Sequence, residues 1–213
     1  LEDKLQGINK QNFNDLFKSL DTYSLGMMIF IIFLDSSERK TTRTYVFDTD
    51  EGPRKDTTKE KLAKLQPVFA QNGTVTAANS SSISDGAAAL VLMRQQQALD
   101  RGLDFQARIV GYAGHANEPA WFSTAPIPAV KKLLTKIKWD VSDVGLWEIN
   151  EAFAVVPMAF SREVGLSMDK INISGGACAL GHPIGASGAR ILNTLIFEMK
   201  RRDVKRGLAT LCI

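Results

Sequence analysis

The stretch Ser174-Gly-Gly-Ala-Cys-Ala-Leu-Gly-His182-Pro-Ile-Gly-Ala-Ser-Gly-Ala-Arg190 decides how the chain is read. It sets one of only two histidines inside a turn that holds glycines at 175, 176, 181, 185 and 188. Glycines there let the backbone approach a ligand closely and adopt φ > 0. A long amphipathic helix is expected next, over Ala186 to Arg202, with Ile191, Leu192, Leu195, Ile196 and Met199 on its buried face. Its N-terminus can face negative charge. The turn lacks the Gly-Lys-Ser/Thr of a Walker loop and the Gly-x-Gly of a dinucleotide fingerprint.

Working outward, strands and helices alternate. Upstream of the turn the pattern predicts a short strand at Ile171 to Ile173. A helix from Glu151 to Val164, closed by Gly165, precedes it, and a strand from Val144 to Ile149 comes before that. Pro128 opens an amphipathic helix with Val130, Leu133, Leu134 and Ile137 on one side. Ala107 to Tyr112 alternates like a strand, and Arg94 to Arg101 reads as a helix stopped by Gly102. Ala87 to Met93 is an apolar run suited to a strand covered on both faces. Asn79 to Gly86 is a polar turn and Gly73 to Thr76 is strand-like. Thr57-Thr-Lys-Glu60 forms a capping box for a short helix, Lys59 to Leu65, that Pro67 ends. Thr44 to Asp48 is β-prone. Downstream, Leu208 to Ile213 forms a final strand carrying Cys212. Such alternation indicates an α/β layered fold. No internal repeat is present.

Three residues at element edges carry chemistry. His182 is either a plain turn residue or a neutral imidazole that donates to an oxyanion or moves a proton near pH 7. Asn150 is an N-cap for the helix beginning at Glu151, an amide that orients a water or donates to a developing enolate, or both. Cys212 is an inert core thiol unless a cation or dipole lowers its pKa. Cys178, four residues before His182, reads as a small packed residue, and Phe153 as core more than ligand wall.

Bulk properties bound the answer. The 213 residues are 45% hydrophobic and 23% charged, enough for one large domain or two small ones. The formal charge of +3 helps an anionic ligand such as a CoA phosphate approach but does not point to nucleic acid. Two cysteines make no disulfide framework, so Cys178 and Cys212 are expected as reduced thiols in a cytoplasmic setting. The run Gly26 to Leu34 is too short for a membrane span, which needs about 20 residues. The acceptor patterns at Asn72, Asn79 and Asn172 are expected to be chance in a chain without a signal peptide. The chain starts at Leu1 and is expected to be a fragment.

The blocks Val46-Phe-Asp-Thr-Asp-Glu-Gly-Pro-Arg54, Gly73-Thr-Val-Thr-Ala-Ala-Asn-Ser-Ser81, Asp85-Gly-Ala-Ala-Ala89, Trp147-Glu-Ile-Asn-Glu-Ala-Phe-Ala154, the glycine turn and Leu211-Cys-Ile213 together resemble the thiolases. The resemblance runs from about Tyr45 to Ile213. It implies a thiolase-like layered α-β-α fold, incomplete. Residues 1–44 are left unassigned, 45–104 form part of the loop region with a returning strand and helix, and 105–213 form a C-terminal domain that stops at its last strand. It also implies acyl transfer between CoA thioesters within fatty-acid metabolism, by Claisen condensation or thiolysis. On this resemblance His182 activates the nucleophilic cysteine and helps form the first oxyanion hole. Asn150 holds the water of that hole, and Cys212 protonates or deprotonates the α-carbon. Ser81, Ala77 and Phe69 line the CoA and pantetheine channel, and Phe153 walls the acyl pocket. The substrate is a CoA thioester, with no other cofactor and no metal. A homo-oligomer, or a second chain supplying the missing half, is implied. Neither Cys178 nor Cys212 stands in the family's acyl-accepting motif, so a second expectation stands beside the first: an inactive thiolase-like fragment or subunit that binds CoA or a partner chain. A third is an unrelated α/β protein whose glycine turn binds phosphate.

Overall fold

The computed structural model describes residues 54–212. The expectations for Leu1 to Thr44, for the strand-prone Thr44 to Asp48 and for most of the Val46 to Arg54 block lie outside the described residues.

The fold is built on a parallel pair, β1 (Leu146–Ile149) and β2 (Gly207–Thr210), with Trp147 opposite Leu208 and Ile149 opposite Thr210. All four residues of β1 are buried, because both of its faces are covered. Helix α6 (Ile184–Arg201) packs on β1 and β2 from one side. On the other side Trp147 and Ile149 join Val130 and Leu134 of α3 (Pro126–Ile137) and Val156 and Phe160 of α4 (Val155–Val164) in the core. Trp147 and Phe160 stack obliquely, their ring centroids 5.6 Å apart. Burying one such side chain contributes roughly 1.5–3 kcal/mol. The result is the layered α/β arrangement that the alternation of elements predicts.

Helix ends follow local chemistry. Pro126 fills N1 of α3, where a missing N–H costs nothing, and Lys138 ends that helix in the left-handed region at φ 57°. Gly165 ends α4 at φ 70°. The short helices α1 (Lys59–Ala63), α2 (Gln95–Asp100) and α5 (Ala177–Leu180) are the other α-helices among the described residues. Thr58, not Thr57, caps α1, its hydroxyl accepting from the Lys61 N–H; the Thr57 hydroxyl donates to the Arg54 carbonyl instead. Gly102, at φ 62°, follows α2.

Several expected elements are corrected. Ala87 to Met93 and Ala107 to Tyr112 are not strands: both run without ladder partners among the described residues, and Val91 is 86% exposed. Their apolar patterns report a capacity for pairing, which needs a neighbour to be realised. Gly73 to Thr76 is likewise no strand, although the Val68 N–H donates to the Val75 carbonyl there. The strand at Ile171 to Ile173 shrinks to a single parallel bridge from Ile171 to Trp147. It shrinks because Asn172, at φ 48°, turns its side chain into the ladder: its Oδ1 accepts from the Ile149 N–H and its Nδ2 donates to the Ile149 carbonyl. Helix α4 starts at Val155, so Glu151 to Ala154 form a turn and Asn150 is not a helix cap.

Candidate active site

Asn150 follows the carboxyl end of β1, and its N–H donates to the Thr210 carbonyl at the same end of β2. It is only 2% exposed. Ligands in open α/β sheets gather at this edge. Asn150 and His182 meet there, with Asn150 Nδ2 3.3 Å from His182 Nε2. Asn150 Oδ1 is buried and finds no hydrogen-bond donor among the described residues.

The turn that delivers His182 is held from two directions. Gly181 sits at φ 83°, ψ 166°, a conformation open essentially to glycine alone, and a Cβ there would land on the Ser84 hydroxyl. The His182 N–H donates to the Ser82 carbonyl at 2.9 Å, and Arg190 donates to the Gly181 carbonyl. The same N-terminal segment crosses to the other loop: the Ser81 N–H and hydroxyl both donate to the Ala152 carbonyl, and Ala154 N–H donates to the Asn79 carbonyl. Residues 79–84 therefore stitch the Asn150 and His182 loops together. Of the five glycines, only Gly175 and Gly181 take φ > 0, while Gly185 and Gly188 lie within α6.

Burial, and then the charge of Arg190, hold the His182 pKa below its ordinary value, so the ring is neutral at pH 7. Ser187, fully buried on the first turns of α6, places its Oγ 2.6 Å from His182 Nδ1. Sequence reasoning missed this residue; its only signal is the five-residue step from His182 into the following helix. Glu151 was missed too. Its carboxylate accepts from the Cys178 N–H at the start of α5 and from Asn172 Nδ2, and it fills the space a Cβ on Gly176 would need.

The two thiols differ in setting. Cys212 lies two residues past β2 at the same edge but within the apolar core cluster, and burial raises its pKa. Cys178 stands on α5, not in the turn itself. Burial first, then the charge of Glu151, push its thiol up to about 11. Phe153 packs edge-on against Phe69, with centroids 5.9 Å apart, and against Phe122 at 6.4 Å. Phe69 is 73% exposed, and Ala77 is exposed in a 3-10 turn. Asn150, Glu148, Asn172 and Arg190 border a small cleft of about 10 Å³. A larger, open hollow of about 450 Å³ lies by Lys131, Lys138 and Trp139 at the end of α3, away from this chemistry. Among the described residues no His, Cys, Asp or Glu cluster suits a metal, and no helix is long and apolar enough to cross a membrane.

Comparison with known proteins gives the family. The model of the thiolase C-terminal domain matches residues 103–213 and that of the thiolase N-terminal domain matches 31–96, which begins upstream of the Tyr45 limit read from motifs. An acetyl-CoA acetyltransferase of Allochromatium vinosum is 52% identical over 168 residues, covering 79% of this chain and 43% of the relative. The acetyl-CoA acetyltransferase of Pseudomonas aeruginosa is 52% identical over 78% of the chain and 42% of its own length. The crystal structure of the Bacillus anthracis acetyl-CoA acetyltransferase superposes with a TM-score of 0.76 at 46% identity, covering 82% of this chain and 44% of that one. Human mitochondrial 3-ketoacyl-CoA thiolase does so with 0.70 at 39%, over 77% and 42%. The chain spans less than half the length of the curated relatives it matches. With one family model covering more than half of its residues, the chain belongs to the thiolase family.

Proposed function

We propose that this chain carries the acid–base half of an enzyme that moves acyl groups between CoA thioesters: two acetyl-CoA giving acetoacetyl-CoA and CoA, or thiolysis in reverse. The observation that carries the reading is the contact of Asn150 with a neutral, half-buried His182 at the carboxyl edge of the sheet. In the forward step His182 Nε2 takes the proton of a nucleophilic thiol, the thiolate attacks the thioester carbonyl, and the C–S bond to CoA breaks. The imidazolium then returns the proton to the departing CoA thiolate. The unpaired Asn150 Oδ1 suits an acceptor for a water that stabilises the oxyanion. Cys178 and Cys212 fit the nucleophile poorly, since burial disfavours the thiolate that either would have to form. Cys212, as a thiol, suits an acid that returns a proton to the α-carbon. Exposed Phe69 and Ala77 with Ser81 support a pantetheine channel, and Phe153 an acyl wall; the Ser81 hydroxyl keeps lone pairs to accept with.

The substrate is the CoA thioester itself, and the chemistry proposed needs no other cofactor and no metal. The two free thiols support a reducing, cytoplasmic compartment, and the exposed apolar side chains support assembly with further protein, as a homo-oligomer or with a chain bearing the nucleophile. The test is thiolysis of acetoacetyl-CoA by the complete protein. His182→Ala is expected to lower kcat by about 10²–10⁴-fold, and a polypeptide of these 213 residues to give no turnover. Unchanged turnover in His182→Ala would overturn the reading. CoA binding by a complete protein without turnover would favour an inactive, CoA-binding subunit.

A further inference from the structure

His182 is held at both ring nitrogens. Nδ1 lies 2.6 Å from Ser187 Oγ and Nε2 lies 3.3 Å from Asn150 Nδ2. A neutral imidazole has one N–H, so one nitrogen donates and the other accepts. The partners decide which. Asn150 Nδ2 is an amide NH₂ and can only donate, so Nε2 must accept. A hydroxyl has one proton, and Ser187 Oγ lies 3.0 Å from the Pro183 carbonyl, a bond in which only the hydroxyl can donate. With that proton committed, Oγ turns lone pairs toward Nδ1. With the Asn150 amide and the Ser187 hydroxyl so oriented, both ends of the ring are matched by one tautomer: Nδ1–H with a bare Nε2.

We propose that Ser187 is a positioning residue that fixes the tautomer of His182, accepting the Nδ1–H so that Nε2 keeps its lone pair, which accepts from Asn150 Nδ2 at rest and from the thiol during proton transfer. This deepens the function proposed above and rests on that reading for the use made of the base; the tautomer itself belongs to the resting chain. The other tautomer would aim N–H at an amide NH₂ and would pull the Ser187 hydroxyl off the Pro183 carbonyl. Ser187 is fully buried, so bulk water does not replace it as the acceptor. In the proton transfer the Asn150 amide releases Nε2, which gains the thiol proton while Nδ1 keeps its own. The Nδ1–H···Oγ bond becomes charge-assisted in the imidazolium, and Nε2 then gives the proton to the leaving thiolate.

Ser187→Ala isolates the effect. The Pro183 carbonyl still accepts the N–H groups of residues 186 and 187, both at 2.8 Å, and alanine favours the helix. The chain has only two histidines, and His115 stands in an exposed loop, so ¹⁵N-histidine labelling resolves His182. In the unsubstituted protein at neutral pH, Nε2 is expected to resonate as a pyridine-type nitrogen and Nδ1 as a pyrrole-type one. Ser187→Ala is expected to shift the tautomer ratio toward Nε2–H by about tenfold, as loss of one hydrogen bond implies, with His115 unchanged. Ser187→Cys, which keeps a weak acceptor, is expected to fall between. In the complete protein Ser187→Ala lowers kcat and leaves KM in place. A pyrrole-type Nε2 in the unsubstituted protein, or an unchanged ratio in Ser187→Ala, overturns the proposal. If the nitrogens behave as stated while the complete protein turns over no CoA thioester, the acyl-transfer reading fails and the tautomer assignment stands.

Discussion

Glu148 sits in the middle of β1, 4% exposed, on the strand face that meets α6. Burial, then the charges of Glu151 and Glu198, push its carboxyl up to about 7 against the pull of Arg190. The unfolded chain, with a value near 4.5, gives up that proton earlier. Glu148 therefore adds stability that is full below about pH 4.5 and is lost as pH rises through 7. Glu148→Gln keeps the shape without the charge. It is expected to match the parent near pH 5 and to exceed it at pH 8 by on the order of 2–3 kcal/mol. Urea midpoints at equal slope measure this, and superimposable pH curves for the two proteins would refute it. His182 works with the opposite sign. Its lowered value adds stability above 6.5 that is lost as pH falls, so only the difference between parent and variant isolates Glu148. At this scale the sequence showed what stands out in composition: a histidine among glycines and an amide at a strand end. It did not show Ser187 or Glu148. A serine in a helix and a glutamate in a strand have no local signature, and their roles arise from burial against residues far along the chain.

The glycine turn and the helix after it give paired predictions at the scale of elements. Gly181→Ala puts a side chain into a glycine-only conformation and against Ser84. It is expected to cost about 2–4 kcal/mol and to loosen the Ser82–His182 contact. Gly188 lies inside α6 with open space where its Cβ would go. Gly188→Ala is expected to stabilise by about 0.5–1 kcal/mol. Thermal midpoints moving in the same direction for both would contradict the assignment of one glycine to the turn and the other to the helix. The sequence had grouped all five glycines as one turn, because the helix start is masked where Gly185 and Gly188 stand in its first turns. Elements with a 3.6 period and a clear boundary were legible: α2 before Gly102, α3, read as opening at Pro128 and found to open at Pro126, and α6. The strands at 87–93 and 107–112 were not, since a strand forms only where a partner accepts its ladder, and periodicity carries no record of the partner.

Across the described residues, burial is unevenly shared. The core is drawn almost wholly from residues 125–212, while most of the exposed large apolar side chains precede Pro126, among them Val91, Leu92, Phe105, Ile109 and Tyr112. Between residues 85 and 118 the hydrogen bonds to the body are few and made at the surface: Asn193 donates to the Ala89 carbonyl, and Lys132 and Lys136 donate to the carbonyls of Gly114 and Tyr112. Residues 79–84 are bound far more firmly, through Asn79, Ser81 and Ser82 to both site loops. Local opening follows such differences, being cheap where few apolar contacts and mostly exposed hydrogen bonds hold the chain. Brief trypsin treatment of the 213-residue polypeptide is therefore expected to cut at Arg94, Arg101 and Arg108 well before Arg162 or Arg190, leaving a resistant body that contains α3 to α6 and both strands. The relatives are more than twice as long as the matched region, and the proposed assembly with further protein predicts that the same three arginines become slow to cleave in the complete protein. Mass spectrometry of the first fragments decides both points. Early cleavage at Arg162 or Arg190 would show that the layered body is not the stable unit, and equal rates at Arg94, Arg101 and Arg108 in the polypeptide and the complete protein would show that their apolar neighbours are not covered by it.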